Sequence, residues 1–360
     1  MGGGYARLEQ LSPSLDRSGM IDLVKSFPLH MEDAWDRGYE FTGSIETYHP
    51  AKIVICGMGG SAIGGDMVRS CLGDRLEVPL HVNRGYDVAA SLRGDAFFVF
   101  SSYSGNTGET LSAYEAVRGS GIRAAAITSG GKLERRCRED GVPVCSIPGG
   151  MPPRAAIAYS FFPLLHTLAA LGVARIDESE FDDAKKTLAG LCEDFASDGP
   201  ANTAAELAYK IEGKLPFVYS CDGLFDAVAR RWSCQFNENG KSLAHFSIFT
   251  ELNHNEIVGW AALESLRENI AVISLKDAED HPMALRQAEI TLDLIESLCG
   301  DVIRVESVPG PRMTRILSAM ILGDFTSVYL AYLNGVDPTP VENIDFLKER
   351  LKKDPSLKQR

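Results

Sequence analysis

Residues 97–110 read FFVFSSYSGNTGET, an apolar run that passes directly into a turn rich in hydroxyl groups. A short apolar run that ends in turn residues is typical of a buried strand, and the residues after the turn favour a helix. Three hydroxyl side chains, those of Ser102, Ser104 and Thr107, stand at the predicted start of that helix. Backbone N–H groups and the positive end of the helix dipole meet there, so neutral donors alone can hold an anion.

A simpler interpretation is that this turn only caps its own helix. Asn106 and Glu109 have the spacing of a capping box, in which a short polar side chain and an acidic one satisfy the first N–H groups. The turn by itself does not decide between an anion site and a cap. The chain carries 49 acidic and 36 basic residues, a net charge of −13, so binding of an anionic ligand needs a local device of this kind.

Another predicted strand and turn lie earlier in the chain, at residues 51–62. Residues 51–56 (AKIVIC) predict a buried strand, and residues 57–62 (GMGGSA) have the glycine spacing of a dinucleotide-binding loop. Such a site needs an Asp or Glu at the end of the next strand to bind the ribose. Residues 80–84 (LHVNR) contain none, which argues against a nicotinamide cofactor and leaves a tight structural turn or another ligand as alternatives.

Short apolar runs and helical segments alternate along the chain, which predicts parallel sheets covered by helices on both faces. The pattern restarts after a long apolar segment at residues 153–171. We therefore predict the α/β class, with two three-layer domains, each a mostly parallel sheet flanked by helices. The predicted strands beyond the two above lie at residues 78–82, 124–128, 142–147, 215–220, 270–274 and 302–305.

The same pattern gives the predicted domain organisation. We expect an N-terminal helical segment at residues 1–50, a first domain at 51–180 that carries the candidate anion site, a second domain at 190–335 and a C-terminal helix at 336–360. Polar stretches around residues 182–186 and 193–200 mark the joint between the domains.

The C-terminal helix has its own start signal. Thr339, Pro340 and Glu342 have the spacing of an N-cap, a first helical proline and the acidic member of a capping box. In the helix that follows, Leu347 and Lys348 share one face with other apolar residues.

Composition excludes several classes of function. The negative charge repels nucleic acid and anionic membranes, so we expect neither as a partner. The longest apolar runs are interrupted by polar residues, and we predict a cytoplasmic protein. Eight cysteines and seven histidines are scattered without CxxC, HxH or HExxH spacing, so we expect reduced thiols, no metal and no cofactor.

Six motifs, in order, resemble the bifunctional phosphoglucose/phosphomannose isomerase family, whose members contain sugar isomerase (SIS) domains. The resemblance covers nearly all of residues 30–355 and implies two flavodoxin-like SIS domains. The motifs are GMGGSAIGGD (57–66), SYSGNTGET (102–110), GGMPPRAAIAYSFFPLL (149–165), NENGKS (237–242), ELNHNEIVGW (251–260) and VDPTPVENIDFLKERL (336–351). One departure is Gly240, where the family pattern leads us to expect alanine.

The resemblance also implies an activity and an assembly. Members interconvert glucose 6-phosphate and mannose 6-phosphate with fructose 6-phosphate, and the family's active sites lie where domains and subunits of a homodimer meet. By position in the motifs, the residues implied to bind the substrate phosphate are Gly60, Ser61, Ser102, Ser104 and Thr107.

Four residues match the family's catalytic positions. Moving a proton between C2 and C1 through a cis-enediolate needs a base, a group that opens the sugar ring and positive charge near the developing oxyanion. Glu238 is the candidate base, since it ends a predicted helix just before Gly240, a predicted C′ residue, where the helix dipole disfavours a carboxylate. The family's matching arginine, here Arg154, faces the enediolate, and an always-charged guanidinium suits that place.

His254 lies in a polar segment between apolar runs, where an imidazole can shuttle a proton near neutral pH and so open the ring. His245 and His281 remain alternatives. In the family the matching histidine comes from the neighbouring subunit. Lys348 matches a lysine expected near the ring oxygen or O1, although an ordinary lysine on an amphipathic helix has the same pattern.

Two other functions fit a SIS fold. A glucosamine 6-phosphate synthase-like isomerase needs a glutaminase segment with a nucleophilic cysteine near the N-terminus, and the first cysteine here is Cys56, inside a predicted strand. A phosphosugar sensor needs a regulatory appendage, and residues 1–40 are too short and too weakly basic for a helix-turn-helix. We therefore favour a metal-free aldose–ketose isomerase.

Overall fold

The first sheet is built from five parallel strands. In the computed structural model, which describes residue 8 and residues 14–262, 264–298 and 301–354, their order is β2-β1-β3-β4-β5, the order of flavodoxin-like folds. Every residue of β1 and β3 is buried, as expected for parallel strands covered on both faces. The strands are β1 (Ile53–Cys56), β2 (Leu80–Asn83), β3 (Phe97–Ser101), β4 (Arg123–Thr128) and β5 (Val144–Ser146).

The second sheet repeats the arrangement with four parallel strands in the order β7-β6-β8-β9. The predicted α/β fold with two parallel sheets flanked by helices is therefore confirmed. The strands are β6 (Leu215–Ser220), β7 (His245–Ile248), β8 (Ile270–Lys276) and β9 (Asp301–Glu306). The sequence did not predict β7, because this edge strand mixes polar and apolar residues and is only half-buried.

The helices cover both sheets. They are α1 (Met20–Lys25), α2 (Phe27–Thr42), α3 (Gly60–Leu72), α4 (Gly108–Val117), α5 (Gly131–Glu139), α6 (Ala158–Ala170), α7 (Glu178–Phe195), α8 (Thr203–Ile211), α9 (Asp226–Glu238), α10 (Glu256–Gly259), α11 (Glu264–Arg267), α12 (Pro282–Glu296), α13 (Arg312–Leu333) and α14 (Glu342–Lys353). The predicted joint between domains falls on α7, whose apolar face packs against α13.

Helix α13 is the centre of the second half. It packs against α7, α8 and α9, and all but two of its residues are buried. Its length and its mean hydropathy of 1.5 would suffice to cross a membrane, but 89% of the apolar window lies inside the protein. The helix therefore has the character of a core helix, as its apolar sequence predicted.

The predicted start of the C-terminal helix is wrong. Helix α14 begins at Glu342, its N-cap is Val341, and no side chain caps it. Thr339 is not a cap, since its N–H donates to the Asp337 carboxylate (2.9 Å) and its carbonyl accepts a bond from Arg154 (2.8 Å). Residues 336–341, which we call the strap, are thus held by the protein body rather than by the helix.

The cysteines agree with the expectation of reduced thiols over the described residues. Seven are free, and all of them except Cys234 are buried; Cys299 lies outside the described residues. Burial raises the pKa of Cys56, and likewise that of Cys71, to about 12, so these thiols are poor nucleophiles.

A buried ion pair joins α9 to α13. The Arg231 guanidinium donates to both carboxylate oxygens of Asp324 (3.0 and 2.6 Å), and the two residues are 2% and 5% exposed. Gln235 donates to the same carboxylate (3.0 Å), and Arg231 also donates to the carbonyl of Arg154 (2.8 Å). Burial raises the pKa of Asp324, while Arg231 opposes that shift. This pair therefore holds the second half against the segment that carries Arg154.

We predict that Asp324→Asn destabilises the fold by about 3–5 kcal/mol, because it leaves the Arg231 charge buried without a counter-charge. Urea unfolding at neutral pH measures the effect. Asp87→Asn, at an exposed loop position, is the matched control and should change the free energy of unfolding by less than about 0.5 kcal/mol. A loss below about 1 kcal/mol for Asp324→Asn would show that the pair is not essential to the fold.

Candidate active site

The hydroxyl-rich loop lies at the carboxyl edge of the first sheet, between β3 and α4. The Ser102 side chain is buried and donates to the Thr107 hydroxyl (2.9 Å). The exposed Ser104 hydroxyl accepts a bond from the N–H of Asn106 (3.2 Å). The three predicted hydroxyls therefore belong to one compact turn at the start of a helix.

The capping-box interpretation of this turn is wrong. Thr107 is the N-cap residue of α4, and its side chain makes no capping bond. Asn106 points to a different helix, because its side-chain oxygen accepts a bond from the N–H of Lys132 (3.3 Å) in α5. The first N–H groups of α4 are left without intrahelical partners, which is the arrangement that binds anions.

The glycine loop after β1 lies beside this turn. The Ser61 hydroxyl accepts a bond from the N–H of Tyr103 (3.2 Å). A side chain at Gly60 would place its Cβ 2.8 Å from the Pro153 carbonyl oxygen, so only glycine fits. The glycine spacing therefore serves close packing of the loop against residues 153–154, and it joins the hydroxyl turn to Arg154.

Arg154 is buried at the meeting point of the two halves, with 6% of its surface exposed. Its Nε donates to the side-chain oxygen of Asn239 (2.5 Å), and its Nη2 donates to the carbonyls of Pro338 and Thr339 (both 2.8 Å). These acceptors are neutral. Burial lowers the pKa of Arg154, an effect that the charge of Glu238 opposes.

Glu238 supplies the nearby carboxylate. It is the last residue of α9, its side chain is one-third exposed, and its Oε2 lies 3.7 Å from Nη1 of Arg154. A cavity of about 590 Å³ opens beside it, lined also by Lys241, Asp337 and Ile344 among others. A carboxylate that faces both a cavity and a fixed guanidinium can take up a proton while the guanidinium stabilises the negative charge that develops.

The end of α9 places Gly240 at the C′ position, as predicted, because Asn239 is the C-cap. The left-handed backbone that often accompanies this position belongs to the next residue, Lys241, with φ 50°. Glycine is needed at 240 for space, because a Cβ there would lie 2.8 Å from the Phe236 carbonyl oxygen. Sequence reasoning also missed Asn239 and Lys241 as residues of this site. Both residues lie inside the NENGKS motif, and that position was the sequence signal that could have identified them.

His254 and Lys348 do not join this cluster within one chain. His254 ends a short 3₁₀ turn and is exposed, and its neighbour Asn253 fixes that turn to α12 by accepting a bond from Thr291 (2.7 Å). Lys348 is exposed on α14. Over the described residues, neither makes a hydrogen bond or ion pair with Arg154, Glu238 or the hydroxyl turn. The other seven predicted site residues form one continuous group.

Comparison with known proteins gives consistent results. The model for "Bacterial phospho-glucose isomerase C-terminal SIS domain" matches residues 200–351. A protein of Caldicellulosiruptor bescii named bifunctional phosphoglucose/phosphomannose isomerase is 39% identical over 334 residues, 92% of this chain and 98% of that protein. A protein of Aquifex aeolicus with the same name is 36% identical over 88% of this chain and 95% of its own length.

The fold also has a close counterpart among solved structures. The crystal structure of a hypothetical protein from Thermus thermophilus superimposes with a TM-score of 0.73, although only 14% of residues are identical. The superposition covers 97% of this chain and 93% of that one. This similarity concerns the fold alone.

We predict that replacing Ser104 and Thr107 together by alanine weakens binding of glucitol 6-phosphate, which lacks a carbonyl and cannot isomerise. Each lost bond to a charged phosphate should cost about 1.5–3 kcal/mol. Titration calorimetry measures the affinity. Thr42→Ala, whose hydroxyl bonds only within its own helix, is the control and should bind normally. Unchanged affinity in the double variant would remove this turn from the phosphate site.

Proposed function

The chain belongs to the bifunctional phosphoglucose/phosphomannose isomerase family, a family of sugar-phosphate isomerases, and from this we propose that it interconverts glucose 6-phosphate and mannose 6-phosphate with fructose 6-phosphate. The observation that carries the proposal is the Glu238 carboxylate 3.7 Å from the Arg154 guanidinium, in a group continuous with the hydroxyl turn. A base, a cation and an anion-binding turn are the parts that such a reaction needs.

One enediolate serves both conversions. Glucose and mannose phosphates differ only in configuration at C2, and that carbon becomes planar when its proton is removed. Glu238 removes the proton from C2, and the electrons of that C–H bond form the C1–C2 double bond while the electrons of the C1 carbonyl move onto O1. The proton of the O2 hydroxyl passes to O1, and Glu238 then returns its proton to C1 as the C2 carbonyl of the ketose forms. Arg154 faces the resulting negative charge, and the hydroxyl turn holds the phosphate.

The two exposed residues, His254 and Lys348, are assigned to ring opening and to contact with the sugar ring. We propose that His254 transfers the proton that opens the ring and that Lys348 approaches the ring oxygen or O1. The reaction as proposed uses no metal. Among the described residues, no three His, Cys, Asp or Glu side chains are grouped as metal ligands.

A homodimer with shared sites would complete this arrangement. Helix α14 buries none of its residues, and it exposes Ile344, Phe346, Leu347 and Leu351 to solvent. A helix of 12 residues without tertiary packing is marginal in water, which supports a second copy of the chain as its packing partner. The exposed positions of His254 and Lys348 agree with completion of each site by the neighbouring subunit.

We predict that Glu238→Gln reduces kcat for both aldose phosphates by about 10²–10⁴-fold, since the amide cannot accept the proton, while binding of glucitol 6-phosphate stays nearly normal. Coupled assays with chelator-treated enzyme measure both conversions. Glu178→Gln, in the exposed first turn of α7, is the control. Normal turnover of Glu238→Gln would exclude it as the base, and loss of wild-type activity on chelation, restored by zinc, would contradict the metal-free proposal.

The shared site predicts complementation between inactive variants. Homodimers of His254→Ala and of Glu238→Gln should each be nearly inactive. After the two are unfolded and refolded together, random assembly makes half of the dimers mixed, and each mixed dimer has one intact site. We expect recovery of roughly a quarter of wild-type activity. No recovery, with mixed dimers demonstrated by mass spectrometry, would place His254 and Glu238 in the same subunit's site.

A further inference from the structure

Lys241 is a cation beside Glu238 that has no part in the chemistry above. It lies three residues after Glu238, the last residue of α9, and lines the same cavity as Glu238. Its backbone is left-handed (φ 50°), a conformation that, among the described residues other than glycine, only Thr250 shares. A side chain in this conformation is strained, so glycine would be the easier residue here unless the lysine side chain has a role.

The contacts of the ammonium group indicate that role. Nζ of Lys241 donates to the backbone carbonyl of Glu238 and to the carbonyl of Pro338 in the strap (3.0 Å). The same Pro338 oxygen accepts a bond from Nη2 of Arg154 (2.8 Å). Lys241 therefore connects Glu238, the candidate base, with the strap. Through the shared Pro338 carbonyl, it is also connected to Arg154.

We propose that Lys241 is a positioning residue of the isomerase site, one that fixes the strap against the end of α9 and so holds Glu238 and Arg154 on one cavity. The proposal rests on the proposed function. It adds a residue that acts through Arg154 and Glu238 and leaves the assigned roles of those two unchanged.

The charges around Lys241 favour the same role. Two cations, Lys241 and Arg154, share one carbonyl oxygen, and the carboxylate close to the guanidinium is that of Glu238. Desolvation by partial burial and the charge of Arg154 lower the pKa of Lys241. The negative charges of Asp337, Glu238 and Glu342 oppose this by raising it. The three carboxylates of Glu238, Asp337 and Glu342 therefore hold the ammonium group next to the end of α9 and the strap by charge, in addition to its two hydrogen bonds.

An ordinary helix-capping lysine makes a different prediction. Lysine near a helix C-terminus stabilises the last carbonyls, so its loss would change stability and leave kcat alone. A positioning residue changes kcat and the pH profile at nearly constant stability. The two roles can therefore be separated by experiment.

The test compares Lys241→Gly and Lys241→Arg with wild type. Glycine adopts the left-handed backbone without strain, so it removes the side chain and leaves the fold intact. We expect Lys241→Gly to lower kcat about tenfold or more on both substrates, with KM for the phosphosugar nearly unchanged, because the phosphate is held elsewhere. Lys241→Arg keeps the charge and should retain most of kcat.

The pH dependence gives a second readout. Wild-type kcat should fall at high pH as Lys241 loses its proton, and this fall should move to higher pH in Lys241→Arg, because a guanidinium stays charged. Lys210→Met, in the last turn of α8 and paired with Glu206, is the control and should behave as wild type.

Two results would overturn the proposal: a kcat for Lys241→Gly within twofold of wild type, or equal losses of kcat and thermal stability in the glycine and arginine variants. Failure of the proposed function looks different, since the wild-type enzyme itself would then be inactive on glucose 6-phosphate and mannose 6-phosphate in the same assay.

Discussion

A single buried guanidinium, that of Arg154, is the constraint on which the site depends. A cation with 6% exposure needs acceptors for its N–H groups, or its burial would destabilise the fold. The protein supplies neutral acceptors, Asn239 from the end of α9 and two carbonyls from the strap. Because these donors are bonded to neutral groups, the nearest compensating charge is that of Glu238 at 3.7 Å. The hydrogen bonds that satisfy Nε and Nη2 of Arg154 therefore also fix the guanidinium so that its Nη1 faces Glu238.

This constraint explains why both halves of the chain are needed. The first half provides the hydroxyl turn and the segment with Arg154, and the second half provides Glu238 at the end of α9. The buried pair between Arg231 and Asp324 connects them, since Arg231 also donates to the carbonyl of Arg154. Under the proposed function, a phosphosugar held by its phosphate at the hydroxyl turn would present its carbonyl end to Arg154 from the first half and to Glu238 from the second.

Sequence patterns predicted the fold well, because parallel strands buried on both faces are continuous apolar runs, as in FFVF and LPFVYS. Strand β7 was not predicted, because a half-buried edge strand does not need a continuous apolar run. The hydroxyl turn and Glu238 carry recognisable local patterns, whereas Lys241 acts through contacts with Pro338, almost a hundred residues away, that no local spacing encodes. Neither capping box is formed. Asn106, the alternative cap of α4, bonds to Lys132 of another helix, and Thr339, the predicted cap of α14, lies in the strap before the N-cap Val341, where its carbonyl accepts a bond from Arg154.

The central claim is that Glu238 transfers a proton through an enediolate next to Arg154. Incubation of fructose 6-phosphate with the enzyme in D₂O, followed by proton NMR of the products at equilibrium, tests it most directly. We expect deuterium at C2 of both glucose 6-phosphate and mannose 6-phosphate, because a proton carried on a carboxylate exchanges with solvent. Products that form at the normal rate and stay free of deuterium at C2 after prolonged incubation would indicate direct hydrogen transfer between the carbons and would contradict the account.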